Sequence, residues 1–217
     1  IEKDETLWCT PHGQVAELGS KPIYAFTREK SEALAKRRGA TGAAALVRAV
    51  ETVLRLPARS GTPEYRILRP RRNRRYPLAY ATAYAVETEA GVFALVYRLS
   101  KGQHLARPPR TTAPAILYVS DLSADAELRD EPLIPELLNG QPEATFYACD
   151  VRGIGESRPN TCDEDSFFHA YGSDYFYAIH SIMLDAPYLG METHDVLRVL
   201  DWLAGFGHSS IHLAGRG

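Results

Sequence analysis

The sequence predicts an α/β fold on a mixed, mostly parallel β-sheet, preceded by a small helical segment. Three observations predict it. Ile116-Leu117-Tyr118-Val119 and Thr145-Phe146-Tyr147-Ala148-Cys149 are short apolar runs of the kind that strands buried on both faces show. Helical periodicity fills the intervals after them, so the chain from Ala115 onward alternates strand and helix, the grammar of a parallel sheet covered on both sides. Before them, residues 78–87 and 92–99 read as two strands joined through Glu89-Ala90-Gly91, an antiparallel hairpin expected at the sheet edge.

The elements follow in order. Residues 1–26 carry turn residues and scattered apolar ones and read as irregular. Thr27 is placed to cap a helix over 28–38, with Ala33, Leu34 and Arg37 at helical spacing and Gly39 as its stop. A second helix is expected over 42–55, with a stripe of Leu46, Val50, Val53 and Leu54 and a stop at Pro57. A strand at 64–69 runs into the basic segment 69–75, and the Pro-rich stretch 107–114 is a connector. Leu133, Ile134, Leu137 and Leu138 lie on a short helix with Pro132 in its first turn and Asn139-Gly140 at its close. Phe168, Tyr171, Tyr175, Ile179 and Ile182 set a helix over 168–183. Val196, Val199, Leu200 and Leu203 set another over 192–205, ended by Gly207. Ser210 to Ala214 is the third parallel strand. The expected organisation is a helical and linker segment over 1–63 and an α/β domain over 64–217.

Composition narrows the function classes. The chain has 217 residues, 45% of them hydrophobic and 24% charged, the ordinary balance of a globular domain long enough to bury a core. A net charge of −2 argues against a general binder of nucleic acid or of an acidic membrane surface. No run of about 18 apolar residues predicts a membrane-spanning helix. Cys9, Cys149 and Cys162 make neither a disulfide framework nor a metal-ligand pattern. The charged start lacks the apolar region of a leader, and the last residues stop as a strand enters a glycine-rich turn, so both ends read as cuts through a longer protein.

In a sheet of this type, chemistry gathers at the carboxyl ends of the strands. Three places therefore stand out: Ser120-Asp121-Leu122, the segment Asp150 to Ser157, and Gly215 to Gly217. Asp150-Val151-Arg152-Gly153-Ile154-Gly155-Glu156-Ser157 leaves its strand through two glycines, which allow backbone angles that a side chain forbids. Its residues Asp150, Arg152, Gly153, Gly155 and Ser157 read first as a tight structural turn. The segment lacks both the three glycines of a dinucleotide site and the Gly-Lys-Ser/Thr of a P-loop.

An apolar strand, D-x-R-G-x-G-x-S, two helices and then a strand ending in G-x-nucleophile together resemble an α/β-hydrolase. More narrowly, the pattern is similar to acetyl xylan esterase and dienelactone-hydrolase-like bacterial esterases. Cys9-Thr10-Pro11-His12-Gly13-Gln14-Val15 resembles the inter-domain segment of large bacterial esterases of this kind. The resemblance covers 78–217 well and 1–77 loosely, and makes the fold a partial α/β-hydrolase sheet. It implies ester hydrolysis by a serine on a G-x-S-x-G elbow, with a histidine as proton shuttle and backbone amides as oxyanion donors. Ser120, Asp121 and Leu122 are then the candidate oxyanion loop.

Gly215 aligns with the first glycine of that elbow, Arg216 with its variable position and Gly217 with the nucleophile. Glycine has no side chain to attack a carbonyl. The expectation is therefore a degenerate, catalytically silent domain. Its implied partner is a second, active hydrolase domain of the same parent chain, acting on a carbohydrate ester, with no cofactor, metal, nucleic acid or membrane involved. Three other readings stay open: an active serine esterase whose triad lies outside this segment or whose true sequence differs at 217, a structural or carbohydrate-binding module, and an α/β nucleotide binder using Gly153 and Gly155. Action on plant polysaccharide would imply export.

The remaining polar residues read as structural. Ser157 and Ser173 are local caps. The scattered histidines, His208 and His212 included, lack convergent partners for zinc. Cys149 reads as core. His169 packs or lines a pocket within an aromatic cluster that runs from Phe167 to Tyr188. The arginine run is a solvated loop or a patch that pairs with acidic residues elsewhere.

Overall fold

The structure, a computed structural model, describes residues 1–39, 42–68, 71–72, 74–103, 107–158 and 174–216. It divides into two compact units, Ile1–Val50 and Glu51–Gly217. In the first, α1 (Asp4–Leu7) and a single 3₁₀ turn (Val15–Leu18) precede α2 (Ile23–Arg37). α2 starts earlier than the expected Thr27 cap. Pro22, fixed in an extended conformation, opens it instead, and Thr27 lies inside. α3 (Ala43–Leu54) matches its expected span and crosses the division between the units.

Residues 54–62 belong with the sheet unit. They run along its last helix, α7 (Tyr188–Gly205). Leu54 abuts Gly190 so closely that no Cβ fits there. Arg59 binds Asp201 at 2.9 Å, and Arg198 donates to the carbonyls of Ser60 and Gly61.

The second unit holds a seven-stranded mixed sheet: β1 (Tyr65–Ile67), β2 (Arg71–Arg72), β3 (Tyr80–Glu89), β4 (Val92–Ser100), β5 (Ala115–Val119), β6 (Thr145–Asp150) and β7 (Ile211–Gly215). The order is β1-β3-β4-β6-β5-β7, with β2 also pairing β3. The expected mixed α/β sheet is present, but its balance differs from a mostly parallel one. Among the described residues, only β5–β6 and β5–β7 are parallel, while β1, β2, β4 and β6 make antiparallel pairs along β3 and β4. The hairpin β3–β4 does not end the sheet either. β1 and β2 extend it, so the backbone of Arg71–Arg72, inside the basic run, is part of the ladder.

Both faces carry a core, as the apolar strands require. On one face Tyr84, Val96, Leu117 and Tyr147 pack on Val199, Trp202 and Leu203 of α7. On the other, Tyr97, Ile116, Tyr118 and Phe146 pack on α4 (Ala124–Asp130) and α5 (Leu133–Gly140) through Leu128 and Ile134. Truncating a core aromatic such as Trp202 to Ala costs about 3–5 kcal/mol in a site of this kind. α6 (Asp174–Met183) completes the unit. The expected start of α6 near 168, together with Phe167, Phe168, His169, Tyr171, Ser173 and Cys162, lies outside the described residues, as does Gly217.

Candidate functional site

The parallel strands bring the three sequence-predicted segments to one end of the sheet. Val119 closes β5, and its register partners are Cys149 on β6 and Gly215 on β7. Asp150 therefore leaves β6, Ser120 leaves β5 and Arg216 leaves β7 side by side at the carboxyl edge. Of the three residues expected to form an elbow, Gly215 and Arg216 are described, while Gly217 lies outside the described residues.

Asp150 organises this edge. It is fully buried, and its Oδ1 accepts from the Ser120 hydroxyl at 2.7 Å and from the Ala124 amide at 2.6 Å. The Glu156 amide approaches Oδ2 at 3.3 Å. Burial pushes the Asp150 carboxyl above its usual range, and these three donors pull against that shift. Gly155 has φ +52°, and a Cβ there would overlap the Asp150 carboxylate. Gly153 has φ +79°, and a Cβ there would strike the Tyr188 hydroxyl. Each glycine thus meets both a conformational and a steric demand. The Gly155 amide donates to the Leu122 carbonyl at 3.0 Å, tying the turn to the loop after β5.

The turn is packed inward. Arg152 grips Asp195 of α7: its backbone N–H and Nε lie 2.9 Å from Oδ2, and Nη2 lies 2.6 Å from Oδ1. A further contact joins Nη2 to Glu89 at 2.5 Å. The carboxylates of Asp195 and Glu89 raise the Arg152 pKa against the opposing effect of burial, which is the largest single influence. The Ser157 hydroxyl lies 3.2 Å from the Phe93 carbonyl and 3.4 Å from the Asp150 carbonyl. It braces the turn against the start of β4.

The loop after β5 differs from an open oxyanion site. The amides of Asp121, Leu122 and Ser123 all donate to one oxygen of Glu127, at 3.0, 2.8 and 3.1 Å. The Tyr118 hydroxyl holds the other oxygen of Glu127 at 2.6 Å. Burial, and then this bond to Glu127, push the Tyr118 phenol up. The amides of Asp121 and Leu122 are thus engaged by a carboxylate of the same chain. Ser120 is 5% exposed, and its hydroxyl lies between Asp150 and the Cys149 carbonyl.

Beyond β7, Arg216 bonds Glu131, just after α4, at 2.8 and 3.1 Å. Residues 123–131 therefore steady both neighbouring loops, through Glu127 on one side and Glu131 on the other. Sequence reading missed α4, Glu127 and Asp195. A signal for α4 existed in Ser123, which accepts from the Ala126 amide as an N-cap, followed by Asp125 and Glu127. Asp195 had none, since its partner lies far away in the chain.

Two buried histidines, His208 and His194, lie away from this cluster. His208 bonds the Ala113 carbonyl at 2.7 Å and the Tyr147 hydroxyl at 3.0 Å, within the core. His194 is buried against the Thr88 carbonyl at 3.2 Å. Cys149 is fully buried on β6, and burial holds its thiol well above the usual range, which keeps it a packed hydrophobe rather than a thiolate. Among the described residues, no group of three or more His, Cys, Asp and Glu side chains converges as a metal site. No described helix is long and apolar enough to cross a membrane.

Comparison with known proteins adds one finding. No protein-family model matches the chain, and no curated protein does. Among solved structures, the fold is similar to that of a "putative acetyl xylan esterase" from Bacteroides fragilis. The TM-score is 0.53 at 16% identity, over 77% of this chain and 45% of that one. The chain thus spans less than half the length of that neighbour, and the likeness is one of hydrolase-like fold.

Proposed function

We propose that the chain is part of a carbohydrate-esterase-like α/β-hydrolase and that this domain is catalytically silent by itself. The observation that carries the reading is the register of β7. Gly215 pairs with Val119 at the strand end where the Asp150 turn and the Ser120 loop also meet. That is the place for a nucleophile elbow, and the sequence there reads Gly215-Arg216-Gly217. An attacking hydroxyl has no source at 217. The two serines nearest the strand ends, Ser120 and Ser157, serve as internal braces. Ser120 is buried, and the adjoining amides are held by Glu127. The partner this reading calls for is an active hydrolase domain of the same parent protein, with an acetylated polysaccharide as its substrate class.

The test is chemical. The purified chain is incubated with 4-nitrophenyl acetate, with acetylated xylo-oligosaccharide, and with a fluorophosphonate that labels activated serines. The expected result is ester turnover at the buffer rate and no covalent adduct. A stoichiometric adduct on any serine, with turnover abolished by replacing that serine, would overturn the silent-domain reading.

A further inference from the structure

A second feature of the sheet's carboxyl end lies on the β4 side, away from β7. A cavity of about 580 Å³ opens between the start of β4, the 150–157 turn, α6 and the first turn of α7. Its volume falls within the range of small-molecule sites, about 300–1,000 Å³. Its walls are mostly apolar and aromatic: Val92 and Phe93 from β4, Tyr177 from α6, and Tyr188 and Met191 from α7. Such rings and a thioether make favourable contacts with a flat ring system.

We propose that this cavity binds a small, uncharged, ring-bearing ligand. The local charges decide against an anion. Arg152 reaches the wall, but its guanidinium is taken up by Asp195 and Glu89. Glu156, also on the wall, adds a further carboxylate. With the guanidinium already engaged, the Glu156 carboxylate is the charge on the wall that an anionic ligand would meet, and it repels one; His180, Tyr177 and Tyr188 are the other titratable groups lining the cavity. The cavity also has a built frame. The Arg152–Asp195 pair fixes the turn against α7, and Gly153 gives the Tyr188 ring its space. Position supports the same reading, since open α/β sheets take ligands beyond the carboxyl ends of their strands. The site does not depend on the esterase reading, because none of the elbow residues lines it.

The experiment titrates the chain with prodan, a neutral naphthalene probe, and with anilinonaphthalene sulfonate, an anionic one of similar size. Prodan is expected to saturate at one molecule per chain, and the sulfonate to bind at least about tenfold more weakly. Val92→Trp and Met191→Trp, each confirmed as folded by circular dichroism, narrow the cavity and are expected to weaken prodan about tenfold or more. Leu213→Ser removes an exposed apolar side chain on β7 and is expected to change nothing. A readout that needs no variant uses methyl-labelled methionine. The chain has two methionines, and Met183 is largely exposed. Prodan is expected to shift and contact the Met191 methyl, with Met183 unmoved. Non-saturable binding, equal binding of the sulfonate, or contact with Met183 alone would overturn the proposal.

Discussion

The guanidinium of Arg152 and the carboxylate of Asp195 lock the turn after β6 to α7, with the backbone amide of Arg152 adding a third bond to the same carboxylate. Asp195 is fully buried and Arg152 is 15% exposed. Replacing Asp195 with Ala leaves a mostly buried cation with, among the described residues, Glu89 alone to pair with it, a loss of about 3 kcal/mol. Arg152→Lys is expected to recover little of the pairing, because an ammonium cannot offer the planar fork that meets both oxygens. Urea unfolding of the two variants checks both expectations. A loss below about 1 kcal/mol for Asp195→Ala would show the pair to be dispensable.

Gly155 tests the frame from the other side. Its left-handed backbone and the neighbouring Asp150 carboxylate both exclude a side chain. Gly155→Ala is expected to lower stability by about 1–3 kcal/mol from backbone strain, with a further loss as Asp150 is displaced from Ser120 and Ala124. Thermal unfolding reads the sum. A double-mutant cycle with Asp150→Ala separates the parts, because the steric share disappears once the carboxylate is gone while the backbone share persists.

The opposite end of the sheet offers a prediction about hydrogen bonding. His208 Nδ1 faces the Ala113 carbonyl at 2.7 Å and must donate to it. In the neutral ring Nε2 is then an acceptor, so the Tyr147 hydroxyl donates across the 3.0 Å contact. Burial pushes the Tyr147 phenol up to about 12, which keeps its proton in place at neutral pH. Tyr147→Phe removes the donor and leaves Nε2 buried without its partner, at a cost of about 1–3 kcal/mol. Denaturant unfolding measures that cost, and an unchanged midpoint would mean that Nε2 is satisfied in another way.

These residues also show how far the sequence speaks. β5 and β6 were legible because strands covered on both faces have to be apolar throughout, and Ile116 to Val119 and Phe146 to Cys149 are. The D-x-R-G-x-G-x-S turn was legible because φ values of +79° and +52° demand glycine at 153 and 155. α4 was not, because Ala124 to Asp130 is mostly polar and buries only Ala124 and Leu128, too few for a periodic stripe. The partners of the motif were hidden for another reason. Asp195 lies 43 residues from Arg152, and no spacing rule links a turn to a helix that folds back over it. The excess of antiparallel pairing was hidden likewise, since β1 and β2 are too short to announce a register.

Asp150 supplies a pH prediction whose sign follows from its burial. Desolvation raises its folded-state pKa above the ordinary carboxylate value, against the pull of Ser120 and the Ala124 and Glu156 amides. In the window between the unfolded and folded values, the native state holds more protons than the unfolded one. Stability contributed through Asp150 therefore falls as pH rises through that window, and is greatest below the unfolded value. Asp125 acts in the opposite sense. Although burial is the largest influence on it and works upward, the bonds from Tyr76 and Arg129 leave its carboxyl lowered, so its stabilising share is lost on acidification. The whole protein sums both slopes, and only a difference isolates one of them. Asp150→Asn keeps an oxygen to accept from Ser120 and Ala124 but cannot titrate. The stability of the wild type minus that of Asp150→Asn, measured by urea unfolding from pH 3 to pH 8, is therefore expected to decline with rising pH and then level off. A difference that rises instead would mean that the three donors outweigh burial and that Asp150 is held ionised.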